Sequence, residues 1–304
     1  MLYRVLITGS NGLLGQKLVN LFTNVDGFEV FALSHGKNRN ITAKDYSYYN
    51  IDITNTNKVK KLLNSIKPNY IINAAAITNV DQCEKEKKLC DKVNVEAVKT
   101  LVNFCKKNKS HLIHISTDFI FDGNSGPYAE DDKPNPINYY GLSKMRSEQL
   151  IIQANINYTL LRTILVYGIV DNMTRNNIVL FVKEALENGK EVTMVDDQYR
   201  MPTLVDDLAK ACLLAIQRKA YGVFHISSNQ MLSIYEMALQ IAEVFELDNI
   251  YIKRIATNQL KQIAKRPIKT GFDLTKAKKQ LGFPASTFKE RLQVFKNQLI
   301  KSIS

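Results

Sequence analysis

No stretch of the 304-residue sequence approaches the ~20 consecutive apolar residues that a membrane-spanning helix needs. Cysteine is scarce, and Cys83, Cys90, Cys105 and Cys212 make no C-x-x-C pair and have no histidine at metal spacing. Neither a zinc site nor a disulfide framework is therefore expected, and no metal. Cys90 and Cys105 fall in helical patterns and read as small apolar packing groups. No internal repeat or low-complexity segment interrupts the chain. Met1 leads straight into an apolar run, leaving no room for a signal peptide, so a cytoplasmic location is expected. Acidic residues are scarce at the far end. Residues 251–304 hold 13 Lys/Arg against two acids, Asp273 and Glu290, which is +11 of the formal net charge of +12. These cations are spread through helical patterns without interleaved aromatics, so they read as a solvated face that can draw in an anionic substrate. Neither a nucleic-acid nor a membrane partner is expected.

What is present is ordinary in bulk and specific in detail. A hydrophobic content of 45% and a charged content of 23% suit a soluble globular chain with room for one large domain or two modest ones. Val5–Ile7 reads as a buried strand, and Gly9, Gly12 and Gly15 follow it in a turn that opens a helical pattern over Leu13–Phe22. Strand, glycine turn and helix start together make an anion seat, because glycine lets backbone approach a pyrophosphate and the helix start offers free N–H groups. The spacing is G-x-x-G-x-x-G rather than G-x-G-x-x-G. Strand patterns recur at Phe28–Leu33, Tyr70–Ala75, His111–Ser116 and Thr159–Val166, with helical ones at Val59–Ile66, Lys88–Lys107 and Tyr140–Gln153. This alternation predicts an α/β fold with a doubly wound parallel (Rossmann) sheet and ligands at the carboxyl ends of its strands. Phe121–Asn138, rich in Gly, Pro, Asn and Asp, must be a long loop. After residue 168 the pattern becomes irregular. Helices are expected near Asn177–Asn188, Asp206–Arg218 and Ser233–Phe245, the last opened by a Ser233/Glu236 capping box, with short strands near Val192–Val195, Val223–Ser227 and Tyr251–Lys253. Residues 1–168 are expected to form the dinucleotide-binding domain. Residues 169–304 should form mainly a smaller substrate-binding lobe, with some segments returning to the sheet.

Thr117, Tyr140 and Lys144 carry the candidate chemistry. Tyr140-Gly-Leu-Ser-Lys144 is Y-x-x-x-K at a helix start, so phenol and ammonium share one face. A lysine beside a tyrosine favours the phenolate and makes Tyr140 a usable general acid/base. Thr117 ends a strand and can donate to the same oxygen, so a carbonyl held by two hydroxyls beneath a nicotinamide makes a reductase site. After the second strand stand Ser34, His35, Lys37 and Arg39, with no acid until Asp45. Hydroxyl and cation suit a ribose 2′-phosphate, so NADPH is expected ahead of NADH.

The order of these features identifies a resemblance to the extended short-chain dehydrogenase/reductases, and within them to the rhamnose-pathway keto-sugar reductases. It is carried by TGSNGLLG (8–15), INAAAITNVDQCE (72–84), STDFIFDG (116–123), NPINYYGLSK (135–144), LRTILVYG (161–168), DDQYRMPT (196–203) and KRP (265–267). The resemblance implies Thr117 as the active-site hydroxyl, Tyr140 as acid/base and Lys144 as its partner and the holder of the nicotinamide ribose. Tyr139 has no lysine four residues on and reads as packing. Cofactor contacts are implied for Gly9, Ser10, Asn11, Gly12, Leu13, Leu14 and Gly15, for Asp52 and Ile53 near the adenine, and for Ala74, Ala75 and Ala76 along the dinucleotide. On the substrate side it implies Thr78 and Val80 near the sugar, Asn176 and Arg200 at the nucleotide diphosphate, and Asp118 and Arg266 nearby. The substrate would be a nucleotide-linked keto sugar, and a homodimer is the assembly entertained.

Two residues depart from the rhamnose-pathway pattern. Leu165 stands where a tryptophan is usual, and Arg200 where glycine is often found. Two other functions of the same fold stay open. Residues 229–245 and 265–283 also resemble the regulatory subunits of methionine adenosyltransferases, which keep the cofactor site and serve as binding partners. Nucleotide-sugar epimerases and dehydratases share Y-x-x-x-K, although Phe119 after Asp118, where a dehydratase has glutamate, argues against dehydration.

Overall fold

The computed structural model describes residues 2–303. Its first half runs β1 (Tyr3–Thr8), α1 (Leu13–Thr23), β2 (Phe28–Ser34), β3 (Tyr46–Asn50), α2 (Thr56–Ile66), β4 (Tyr70–Asn73), α3 (Val80–Lys85) and α4 (Lys87–Asp91). A π-helical turn (Lys92–Glu96) leads into α5 (Ala97–Asn108), followed by β5 (His111–Thr117), α6 (Tyr139–Gln153) and β6 (Tyr158–Thr163). Then come β7 (Val166–Tyr167), α7 (Ile178–Glu187), β8 (Val192–Val195), β9 (Tyr199–Arg200), β10 (Thr203–Leu204) and α8 (Val205–Gln217). The chain ends through β11 (Gly222–Ile226), β12 (Leu232–Ser233), α9 (Ile234–Phe245), β13 (Ile252–Ile255) and α10 (Phe288–Ile303).

Seven strands form one sheet in the order β11-β6-β5-β4-β1-β2-β3, every neighbouring pair parallel. The expected Rossmann architecture is the one found. Its central strand is apolar on both sides because both sides are covered. Val5 and Ile7 pack with Leu18, Phe22 and Leu208 of α1 and α8, whereas Leu6 packs with Leu63, Leu101 and Ile151 of α2, α5 and α6. The chain leaves the sheet at β3, one edge, and returns at β4 beside β1. That reversal opens a crevice at the carboxyl ends of β1 and β4, the place where such sheets take ligands.

A second cluster, including Val179, Met237, Ile241, Phe288 and Phe295, joins α7, α9 and α10 beside the strand pair β8–β13. Ser233 caps α9 in the expected capping box with Glu236. Two later segments return to the sheet. α8 packs on the α1 side, and β11 pairs with β6 at the sheet edge.

Four local departures have local causes. β3, YSYYN, is a half-exposed edge strand whose tyrosines hide its pattern. The single helix expected over 88–107 is broken at 92–96, where Asn94 turns inward to bond both backbone groups of Ile77 and the Ser143 hydroxyl. Strand β4 ends at Asn73, two residues early, where the backbone opens into the crevice. The strand expected to reach Val166 stops at Thr163, because Leu165 takes a left-handed φ of 39° and redirects the chain into β7.

Candidate active site

The glycine turn closes on itself. Gly9 has φ 67°, and a Cβ there would fall 2.7 Å from the Ala75 nitrogen; a Cβ on Gly15 would fall 2.1 Å from the Gly9 carbonyl. Neither position tolerates a side chain. Gly12 precedes α1, which has no side-chain cap and no acid in its first turn, so its first N–H groups are open to an anion. The Ser10 hydroxyl is buried beside them without a hydrogen-bond partner. A bare, glycine-lined helix start fits a dinucleotide pyrophosphate.

Asn11 ties this turn to the residues after β2. Its amide donates to the His35 and Lys37 carbonyls at 3.2 and 2.9 Å, and its oxygen accepts from the Arg39 N–H at 3.0 Å. Ser34, His35 and Arg39 thereby line one end of the crevice, while the Lys37 side chain points to solvent. The Arg39 guanidinium reaches Thr174 at 2.9 Å. Asp171 accepts from the N–H groups of Ile41 and Thr42, so residues 39–42 and 171–174 meet across the crevice. Asp52 and Ile53 lie on the wall beyond β3. Backbone and side-chain hydrogen bonds from Thr54 hold the Asp52 carboxyl below its usual range. Ala74, Ala75 and Ala76 form the opposite wall.

The Thr117 hydroxyl, at the end of β5, accepts from the Phe119 N–H and donates to Asp118 at 3.1 Å. Tyr140 is brought to it by α6. Asn138 caps that helix through the Gly141 N–H at 2.9 Å, and Gly141 rests on the backbone of Phe119, where a Cβ would fall 1.9 Å from its carbonyl oxygen. Burial pushes the Tyr140 phenol up, opposed by its hydrogen bond with Thr117. The sequence expectation was a phenol acidified by Lys144. Instead the Lys144 Nζ lies 2.9 Å from His114 Nε2, and burial raises the phenol rather than acidifying it. Burial also lowers Lys144 to about 8, against the pull of Glu148. Tyr139 donates to Asp91 at 2.7 Å with Lys87 over its ring, away from Thr117.

Asp118 is fully buried and raised by that burial, with Arg200 3.9 Å away and Thr270 donating to its carboxylate at 2.5 Å. Arg200 stands on the crevice wall but is itself buried, and donates to the Tyr199, Pro267 and Ile268 carbonyls. It thus pins the 267–268 backbone at the crevice edge. Arg266 lies off the wall, paired with Asp81 at 2.9 Å. Asn176, Thr78 and Val80 also line the crevice. So does Arg175, 3.5 Å from the Thr78 hydroxyl, which sequence reasoning missed although it adjoins Asn176. Leu165, with its left-handed backbone, lines the same stretch.

One continuous crevice of about 1000 Å³ joins these groups. Arg39, the glycine turn, Thr117, Tyr140, Lys144, Arg175 and Arg200 all stand on its wall. Of the residues singled out, Ser10, Lys37 and Arg266 do not line it. Such a channel has the volume for a dinucleotide and a second ligand side by side, with two hydroxyls and an amine on its wall.

The model of the RmlD substrate binding domain family matches residues 3–300. A dTDP-4-dehydrorhamnose reductase of Aggregatibacter actinomycetemcomitans is 34% identical over 303 residues, covering 95% of this chain and 97% of the relative. The methionine adenosyltransferase 2 subunit beta of Xenopus tropicalis is 30% identical over 281 residues, covering 91% and 82%. Among solved structures, a dTDP-4-dehydrorhamnose reductase of Clostridium acetobutylicum superposes with a TM-score of 0.86 at 30% identity, covering 97% of this chain and 99% of that one. A dTDP-4-dehydrorhamnose reductase of Bacillus anthracis in complex with NADP gives 0.84 at 29%, covering 98% and 100%.

Proposed function

The chain belongs to the RmlD substrate-binding domain family, and on that premise we propose that it reduces the keto group of a nucleotide-linked sugar, dTDP-4-dehydrorhamnose, with NADPH. The observation that carries this is that Thr117, Tyr140 and Lys144 share one crevice with the glycine turn, Arg175 and Arg200. NADPH, when bound, supplies the hydride. The glycine turn receives its pyrophosphate, Ser34, His35 and Arg39 its 2′-phosphate, and Asp52, Ile53 and Ala74–Ala76 the adenosine end and dinucleotide. Thr117 and Tyr140 hydrogen-bond to the sugar carbonyl oxygen. Tyr140, whose phenol is raised by burial, gives that oxygen its proton, and the Lys144 ammonium stabilises the phenolate left behind. Arg175, Asn176 and Arg200 meet the nucleotide diphosphate. Residues 1–168 carry the cofactor and the redox groups, and residues 169–304 mainly the sugar-nucleotide contacts. The assembly we propose is a homodimer, to be read by light scattering.

The deciding experiment follows NADPH consumption with dTDP-4-dehydrorhamnose and a panel of other nucleotide-linked 4-keto sugars. Turnover is expected, and Tyr140→Phe should lower it roughly a hundredfold or more while cofactor binding persists. Tight NADPH binding without turnover on any sugar overturns the reductase and favours a regulatory role like that of the methionine adenosyltransferase subunit.

A further inference from the structure

A row of polar side chains crosses the interior of the sheet directly behind Lys144. Thr8, Asn73 and His114 stand opposite one another in the register of β1, β4 and β5. They face the α6 side, and His114 and Asn73 are at most 2% exposed. Thr8 donates to Asn73 Oδ1 at 2.6 Å, Asn73 Nδ2 lies 2.9 Å from His114 Nδ1, and His114 Nε2 lies 2.9 Å from Lys144 Nζ. Ser147, one turn on from Lys144, sits 3.2 Å from the same Nε2. Three polar residues in the centre of a parallel sheet cost desolvation unless each is matched. Here each is matched chiefly through the next, with the Ala75 N–H at 3.4 Å from the Thr8 hydroxyl and Ser147 beside His114, and the row ends on Lys144.

An imidazole and a primary amide can each present a donor or an acceptor toward the same neighbour. With Lys144 charged, the ammonium donates to Nε2, Nδ1–H donates to Asn73 Oδ1, and the amide nitrogen donates to Thr8. With Lys144 neutral, the row reverses: Thr8 donates to Oδ1, Nδ2–H donates to Nδ1, and Nε2–H donates to the amine. We propose that His114 is a positioning residue for Lys144, holding its Nζ on the crevice wall and supplying a hydrogen-bond partner in both its charged and its neutral state. This rests on the reductase reading of the site, in which Lys144 acts as a cation beside Tyr140.

The other groups around Lys144 do not take this place. Glu148, on the same helix, is held by Arg162 of β6 through contacts of 2.8 and 3.1 Å. Cys90 of α4 is held by Asn94 and Cys83. Tyr140 is engaged with Thr117, next to Asp118. Among the described residues, only His114 places an uncharged acceptor within hydrogen-bond distance of Nζ. Loss of that acceptor leaves the ammonium unpaired in a dry site and favours its deprotonation.

The test compares the full-length wild type with His114→Phe and His114→Gln. Two quantities are read against pH: kcat for the keto sugar, and the rate at which acetic anhydride acylates Lys144, followed by mass spectrometry. In His114→Phe the acylation midpoint of Lys144 should fall by about one pH unit or more, and the alkaline limb of kcat should fall with it. In His114→Gln, whose amide can accept or donate, both should stay close to wild type. Overturning results are an unchanged midpoint in His114→Phe, or a kcat lowered by one factor at every pH. If His114→Phe does not fold, Asn73→Leu breaks the row one link further on. It should shift the midpoint the same way, and an unmoved midpoint there overturns the proposal. Absence of turnover in the wild type overturns the reductase reading alone, because the acylation midpoints still decide the role of His114.

Discussion

Lys144 is a buried cation, and the fold carries it at a cost. Its pKa falls from about 10.4 unfolded to about 8 folded. Below pH 8 both states bind the proton, and the full penalty, roughly 3 kcal/mol, weighs on the folded state. As pH rises from 8 toward the unfolded value, the unfolded chain holds more protons than the folded one and the penalty fades. Lys144→Met should therefore raise the melting temperature at pH 7 by roughly 5 °C while removing turnover. The gain over wild type should shrink toward pH 10, and an unchanged or lower melting temperature at pH 7 contradicts this. At this scale the sequence was legible where chemistry is local. Tyr140 and Lys144 are one helical turn apart, so spacing alone placed them together. The partners each one meets are not local. Lys144 faces His114, thirty residues back on another element, and Arg200 is occupied by carbonyls of residues 267 and 268. No pattern within either segment announces those encounters.

Helix α6 delivers Tyr140 to Thr117 because Gly141 lets it touch the backbone of Phe119. An alanine at 141 is the better helix former by about 1 kcal/mol, yet its methyl would fall 1.9 Å from a carbonyl oxygen that cannot swing aside. The helix must back away, and Tyr140 with it. Gly141→Ala should lower stability by about 2 kcal/mol or more in urea unfolding and reduce kcat at least tenfold. A neutral or stabilising substitution refutes that packing. Elements with strong apolar periodicity, such as β1, α1 and α6, were readable from sequence. Those whose conformation answers to a distant partner were not. The π-helical turn at 92–96 exists because Asn94 reaches Ile77 and Ser143, and the break after β6 exists because Leu165 turns left-handed.

Over the whole molecule, the crevice is closed by contacts between residues far apart in the chain. Arg39 bonds Thr174, and Asp171 bonds Ile41 and Thr42, so the part of the crevice around Arg39 is roofed by the segment leading to Arg175 and Asn176. Arg39→Ala removes the guanidinium from that part. The KM for NADPH should rise about ten- to a hundredfold, with little change for NADH. Equal losses for both cofactors would remove Arg39 from 2′-phosphate recognition. The expected division near residue 168 captured the change of texture in the sequence. It did not locate how the later half re-enters the first, since β11 and α8 read as an ordinary strand and helix until their partners β6 and α1 are known. Their return bears on biosynthesis. Strand β6 ends at Thr163 and its outer edge is paired with residues 222–226. On a ribosome adding about 5–20 residues per second, Leu160 and Leu161 wait between about 3 and 13 s for that cover. Throughout that interval the nascent chain offers an open, apolar strand edge to its neighbours, which is where early misassembly would begin.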